Sequence, residues 1–310
     1  MNYLVLAYYL FNEIKNPLEA VAHHKAFLEG RDVTSRIYIS EQGINGQMSA
    51  SRLDAIAYME WLITQEGFEG VTFKVHSASE NVFPRLTIKY RKQLVAIDRE
   101  VDLSKRGEYL TPSEWRKALE SNEKLLLIDV RNDYETVVGH FEGAVLPPCR
   151  TFREFNGYAD TLKENFAPDT RILMCCTGGI RCEVYSAVLK EKGFEDVSQL
   201  KGGIIQYGLD EGTAHWKGKL FVFDDRLTVA LDEQEESVTV GCCKHCNTLA
   251  DVYYNCANMD CNDLFLCCKQ CSREHQGCCC DVCKNASRMR PFDEERGPKP
   301  FRRKGQLLAQ

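Results

Sequence analysis

The sequence predicts an α/β protein: a doubly wound parallel sheet, preceded by a small α+β domain and followed by a Cys-rich metal-binding tail. Three observations carry this. Strands alternate with helices through residues 124–204, which argues for a parallel sheet. Before that, residues 1–95 run in the order β-α-β-β-α-β. After it, 12 of the 16 cysteines crowd between Cys242 and Cys283. The expected division is 1–95, a linker over 96–110, the parallel-sheet domain over 111–225, the Cys-rich region over 226–285 and a basic flexible tail over 286–310.

In the first part, residues 3–10 read as a strand and 17–28 as a helix opened by Pro17. Residues 36–39 form a strand, and 41–46 a turn-rich link into 47–49. A helix follows over 52–64, with apolar Leu53, Ile56, Ala57, Met59 and Leu62. Residues 71–75 and 86–88 are further strands. This order is the ferredoxin-like split βαβ arrangement, which hosts many functions and implies none. Arg85, Lys89, Arg91 and Lys92 surround Tyr90. Such a segment suits an RNA backbone with a stacked base, or else a strand edge guarded by charge.

In the second part, Thr111 is placed to cap a helix, with Pro112 at its first position and Glu114 at its third. Residues 124–131 are nearly continuous apolar strand, as in a sheet covered on both faces. That strand ends in Asp129 and Arg131, at the carboxyl end where α/β sites lie. Tyr134-Glu135, Gly139-His140 and Gly143-Ala144 follow, then a helix over 153–166. Next, Ile172, Leu173 and Met174 form a buried strand that ends at Cys176. Thr177, Gly178, Gly179 and Ile180 make a tight loop, and Arg181 opens a helix. The glycines let successive N–H groups converge on one concavity, and the helix N-terminus adds its positive end. A thiol there has a lowered pKa. Arg181 supplies charge for an anion or a developing oxyanion.

Cys175 points to the opposite side, into the core. Its spacing to Arg181 is nevertheless Cys-x5-Arg, that of phosphatase loops. Cys176 to Arg181 is Cys-x4-Arg, the length found in sulfurtransferases, and this shorter loop centres Gly178-Gly179. Cys182 follows Arg181; it either resolves a persulfide or disulfide on Cys176 or packs.

A net charge of −6 gives no global signature of nucleic-acid binding, so DNA is not expected and an RNA site must be a local patch. No apolar run reaches the length of a membrane span, and nothing resembles a signal peptide. A reactive cysteine without an export signal points to a reducing cytoplasm, where clustered cysteines bind metal. Cys243-x2-Cys246, Cys256-x4-Cys261, Cys268-x2-Cys271 and Cys279-x3-Cys283 supply two sites of four thiolates, which suits two structural zinc ions. An Fe–S cluster and disulfides are the rivals. Cys242, Cys267, Cys278 and Cys280 are left over, and His245 and His275 are either substitute ligands or, as is commoner, surface residues. The basic end carries Arg288, Arg290, Arg296, Lys299, Arg302, Arg303 and Lys304, a set that suits RNA backbone or a solubilising tail.

Asp129-Val-Arg131, Tyr134-Glu135, Gly139-His-Phe-Glu-Gly143-Ala, Cys176-Thr-Gly-Gly-Ile-Arg181 and Lys201-Gly-Gly203 together resemble a rhodanese-type domain. Glu41-Gln-Gly-Ile-Asn-Gly46, Arg85-Leu86 with Lys89 and Arg91-Lys92, Cys182-Glu183, Phe221-Val-Phe-Asp-Asp-Arg226 and the Cys-rich tail narrow the resemblance to the bacterial tRNA uridine hydroxylases. The resemblance implies a central rhodanese-like domain, Cys176 as active cysteine, Asp129 and Arg131 bracing its loop, and structural roles for Glu135 and His140. It also implies 5-hydroxyuridine formation at tRNA position 34, molecular oxygen as co-substrate and the tRNA anticodon stem-loop as partner. The residues alone suggest sulfur transfer through a Cys176 persulfide. Phosphatase and non-catalytic RNA-binding readings stand behind these two.

Overall fold

The computed structural model describes residues 2–232 and 234–292 and divides into two units, Met1–Asp98 and the chain from Arg99 onward. The first unit contains β1 (Tyr3–Phe11), α1 (Pro17–Leu28), β2 (Val33–Ser40), β3 (Gly43–Ser51), α2 (Arg52–Leu62), β4 (Thr72–Ala78) and β5 (Ile88–Tyr90). Its sheet runs β4-β1-β3-β2-β5, antiparallel except where β5 lies parallel to β2. Alternate residues Leu4, Leu6 and Tyr8 of β1, Ile37 and Ile39 of β2 and Ile44 and Met48 of β3 face one core with α1 and α2. Inside it the Tyr8 and Tyr58 hydroxyls share a buried 2.5 Å hydrogen bond.

Three expectations are corrected here. The link over 41–46 is mostly strand, because the turn closes at Gly43. A Cβ there would lie 1.9 Å from the Leu10 carbonyl oxygen, at φ +132°. On α2 the buried stripe is Ala55, Tyr58 and Leu62, while Leu53 is 82% exposed. The helix carries apolar residues on two stripes, and the one bearing Tyr58 meets Tyr8. The last strand is Ile88–Tyr90 rather than 86–88.

The second unit begins with a further correction: the expected linker holds β6 (Glu108–Leu110), an edge strand. Then come α3 (Pro112–Glu120), β7 (Leu126–Asp129), α4 (Asp133–Thr136), β8 (Gly139–Phe141), α5 (Phe155–Asn165), β9 (Ile172–Cys175), α6 (Ile180–Glu191), β10 (Val197–Leu200) and α7 (Gly203–Glu211). The sheet order is β6-β10-β9-β7, parallel throughout. Thr111 caps α3 as expected: its hydroxyl accepts from the Glu114 N–H at 3.3 Å, and the Glu114 carboxylate accepts from the Thr111 N–H at 2.9 Å. Such a box stabilises a helix end by about 1 kcal/mol. Every residue of β7 and β9 is buried, as their unbroken apolar runs require.

The chain continues through β11 (Trp216–Gly218), β12 (Leu220–Phe221), β13 (Thr228–Val229), β14 (Tyr253–Asn255), β15 (Leu264–Leu266), α8 (Lys269–Glu274) and α9 (Asp281–Lys284). β11 pairs with β8. Tyr253 and Leu266 of the Cys-rich region share a small core with Val138, Phe221 and Leu227. The Tyr253 hydroxyl donates to the Tyr134 carbonyl, so the tail is anchored to α4. Among the described residues no helix is long and apolar enough to cross a membrane. Of the basic end, Arg288 pairs with Asp260 at 2.6 Å, and the Arg290 guanidinium donates to the Cys256 carbonyl and to Asn262. Arg296, Lys299, Arg302, Arg303 and Lys304 lie outside the described residues.

Candidate active site and metal centres

Strand β9 delivers Cys175 and then Cys176 to the carboxyl edge of the parallel sheet. The chain then turns through Thr177, Gly178 and Gly179, with Gly179 at φ +103°, and enters α6 at Ile180. Gly203 fixes this turn from behind. Its own φ is +70°, and a Cβ on it would come within 2.6 Å of the Cys176 carbonyl oxygen and the Gly179 nitrogen. From the start of α7 the Ile204 and Ile205 N–H groups donate to the Cys176 and Thr177 carbonyls, both at 3.0 Å. With its carbonyls held outward, the loop is left to point N–H groups at the sulfur. Gly179 N–H donates to Cys176 Sγ at 3.2 Å.

Burial alone would raise the Cys176 pKa. The Cys182 thiol, the Arg181 charge and the Cys182 and Gly179 N–H groups reverse this and bring it down to about 5. Cys176 is therefore a thiolate near neutrality. Cys182 shows the complement: burial and its hydrogen bond to Cys176 push its pKa up, so it stays a protonated donor. Burial and the nearby Asp129 carboxylate push Cys175 up as well, which leaves it a core thiol. The shorter loop is thus the one whose geometry makes a nucleophile.

Arg181 does not reach freely over the loop. Its guanidinium donates to the Glu135 carboxylate at 2.5 and 2.8 Å and to Thr177 Oγ1 at 3.2 Å, and lies 5.8 Å from the Phe223 ring centre. Thr177 Oγ1 also donates to Glu135 at 3.3 Å. Glu135 therefore orients Arg181, which acts as a fixed positive charge. Asp129 and Arg131 form a fully buried pair at 2.5 Å. Arg131 also donates to the Glu135 and Gly139 carbonyls, so this pair supports the segment carrying Glu135 and not the loop itself. His140 is structural, its Nδ1 donating to the Thr136 carbonyl at 2.9 Å. Phe223 and Gly203 are residues whose roles the sequence did not reveal; for Glu135 it gave a structural role without the partner, Arg181. The Gly202-Gly203 pair before a helix was the available signal.

In the first unit, Arg85, Lys89, Tyr90, Arg91 and Lys92 are all exposed. Tyr90 pairs in register with Ile39 of the core face and its hydroxyl donates to Glu41, which takes it away from Lys89 and Arg91.

The tail gathers its cysteines as the spacing predicts. Cys243, Cys246, Cys268 and Cys271 form one group and Cys256, Cys261, Cys279 and Cys283 the other; within each, all sulfurs lie within 4.8 Å of one another. The Cys246–Cys268 and Cys261–Cys279 separations are 3.7 Å. A tetrahedral ion with sulfurs at about 2.3 Å spaces them about 3.8 Å apart, so both groups fit one such ion. At Cys243, burial is outweighed by the N–H groups of Cys268, Cys246 and His245, and the pKa falls to about 6. His245 and His275 stack on each other with ring centres 3.7 Å apart, outside both groups. All 16 cysteines are free of disulfides.

A parallel sheet with a thiolate cradle at the end of its third-ordered strand defines a rhodanese-like domain. The rhodanese-like family model matches residues 111–209, a UPF0176 acylphosphatase-like domain matches 3–94, and a rhodanase C-terminal model matches 217–284. Among solved structures, a rhodanese-like domain protein from Staphylococcus aureus is 28% identical over 34% of this chain and 94% of its own, with a TM-score of 0.29. A protein of Protochlamydia amoebophila named tRNA uridine(34) hydroxylase is 56% identical, covering 98% of this chain and 95% of that one. One of the same name from Chlamydia trachomatis serovar L2 is 54% identical over 98% and 93%. The chain belongs to the tRNA uridine(34) hydroxylase family.

Proposed function

We propose that this chain hydroxylates C5 of uridine at wobble position 34 of tRNA, giving 5-hydroxyuridine, with molecular oxygen as co-substrate and the anticodon stem-loop as its RNA partner in the cytoplasm. The observation that carries the reading is the 56% identity to a named hydroxylase over 98% of the chain. An anticodon-loop uridine is single-stranded, so its base can be splayed into a pocket at modest cost.

Uracil C5 becomes nucleophilic once a nucleophile adds at C6. The Cys176 thiolate forms the S–C6 bond and moves the ring electron pair onto the C4 oxygen as an enolate. The fixed Arg181 charge and the N-terminus of α6 favour that anion. C5 then accepts one oxygen atom, the C5 proton leaves and the S–C6 bond breaks to restore the ring and the thiolate. The balance is uridine, O₂, two electrons and two protons to 5-hydroxyuridine and water, so an external two-electron reductant is required. Cys182 keeps its proton and positions Cys176. The two thiolate groups of the tail would each hold one structural zinc ion, which supplies folding energy there.

The test is nucleoside mass spectrometry of bulk tRNA from a deletion strain complemented with wild type or Cys176→Ala. Loss of 5-hydroxyuridine derivatives, restored by wild type alone, supports the reading. Persistence of the nucleoside in the deletion strain sinks it and moves the persulfide-carrier reading to the front.

A further inference from the structure

We propose that the face of the first sheet opposite its helices is a stacking platform for unpaired anticodon-loop bases, centred on Tyr38 and Asn45. The inference rests on tRNA being the substrate. It arises from which residues the register places in one row.

Core-facing residues alternate with a second set along every strand. That set lines up across the sheet as Lys89, Tyr38, Asn45, Tyr9 and Thr72, on β5, β2, β3, β1 and β4. The neighbouring row holds Arg36, Gln47, Ala7 and Lys74. Val82 and Phe83 pack on Val5 and Ala78, further along the same face. Tyr38, Asn45, Arg36 and Gln47 are partly exposed, Lys89 and Arg91 are exposed, and Lys74 is buried.

The chemistry of the rows is that of single-stranded RNA recognition. An aromatic ring on an open sheet accepts the face of any base, and cations beside it take the phosphates. The Arg91 guanidinium lies over the Tyr38 ring, 5.1 Å from its centre, which leaves the opposite ring face for a base; Lys74 is buried over Tyr9, its Nζ 5.4 Å from the ring centre, and is not among the cations offered to phosphate. Tyr9 and Tyr38 stand two strands apart, about 10 Å, with Asn45 between them. The side-chain amides of Asn45 and Gln47 have no hydrogen-bond partner among the described residues, so both retain donors and acceptors for base edges. No carboxylate stands in either row, in a chain whose net charge is −6. The sequence pointed to Tyr90 as the stacking residue; the register moves that role to Tyr38, on the same side as Lys89 and Arg91.

The experiment is fluorescence anisotropy of the full chain with a labelled anticodon stem-loop and with a fully paired duplex of equal length. Tyr38→Leu keeps an apolar strand residue but removes the ring, and Asn45→Ala tests the amide; melting temperature verifies folding of each. Wild type should prefer the stem-loop, and Tyr38→Leu should weaken its binding about tenfold or more while leaving duplex binding unchanged. Arg91→Ala should weaken both and reduce the salt slope by about one. Lys25→Ala, on the helix side, should match wild type. A folded Tyr38→Leu protein that binds the stem-loop like wild type overturns the platform, as does equal preference for duplex. Failure of the hydroxylase reading would show separately, as unchanged nucleosides in the deletion strain.

Discussion

At the scale of single residues, the site is a set of charges arranged around one sulfur. Cys176 has four donors or cations working against its burial, and its pKa of about 5 is their net result. Alkylation of Cys176, followed by peptide mass spectrometry, should rise with pH through about 5 and be flat near neutrality. Removing the Cys182 donor with Cys182→Ala moves that midpoint upward, because the thiolate loses a hydrogen bond. Cys182→Ser restores it, because a hydroxyl also donates. An unchanged midpoint in Cys182→Ala would leave Cys182 a packing residue. Glu135 is the other sensitive position. It is fully buried and is the carboxylate partner of Arg181, itself 9% exposed. Glu135→Gln leaves a guanidinium without its counter-charge, which should cost about 3 kcal/mol in chemical denaturation. A loss below about 1 kcal/mol would mean that Arg181 finds water in its place.

At the scale of elements, the N-terminus of α7 shapes the cysteine loop although it contributes no reactive group. Gly203→Ala adds a methyl group into backbone atoms 2.6 Å away and strains a φ of +70°. The loop must shift, so Cys176 reactivity and tRNA modification should fall at least tenfold while the sheet remains folded. Gly157→Ala on α5 meets nothing within 4 Å and should be neutral or slightly stabilising. Equal behaviour of the two variants in a Cys176 alkylation assay would refute the packing argument. The contrast also shows what the sequence disclosed. Strand β9, the cysteine loop and α6 were readable because a local run, two glycines and an arginine follow one another. The brace on Arg181 was not, because Glu135 lies 46 residues away and only the fold brings them together. Strand β6 was hidden for another reason: Glu108 and Tyr109 are exposed at a sheet edge, so no apolar run marks them. On α2 both stripes were apolar, and only the Tyr8–Tyr58 contact decides which faces inward.

At the scale of the whole second unit, the Cys-rich tail and the cysteine loop are joined by a short chain of contacts. Pair spacing disclosed which eight cysteines gather into two groups, because thiolates a few residues apart can reach one ion without long-range information. It could not disclose where the tail docks. Tyr253 and Leu266 enter a core with Val138 and Phe221, and the Tyr253 hydroxyl holds the Tyr134 carbonyl, one residue before Glu135. Metal loss should therefore act on two levels. Thiolate ligands take up protons as pH falls, so release should become easier in acid, and a chelator should free two equivalents of zinc per chain in a colorimetric assay. The stripped protein should lose protease protection across 243–283, where apolar core is scarce. Loosened docking should then free the segment bearing Glu135, weaken its hold on Arg181 and raise the alkylation midpoint of Cys176. Re-addition of zinc should restore both readouts. Stripped protein that keeps the Cys176 midpoint while losing tail protection would separate the two regions and confine the metal to local folding.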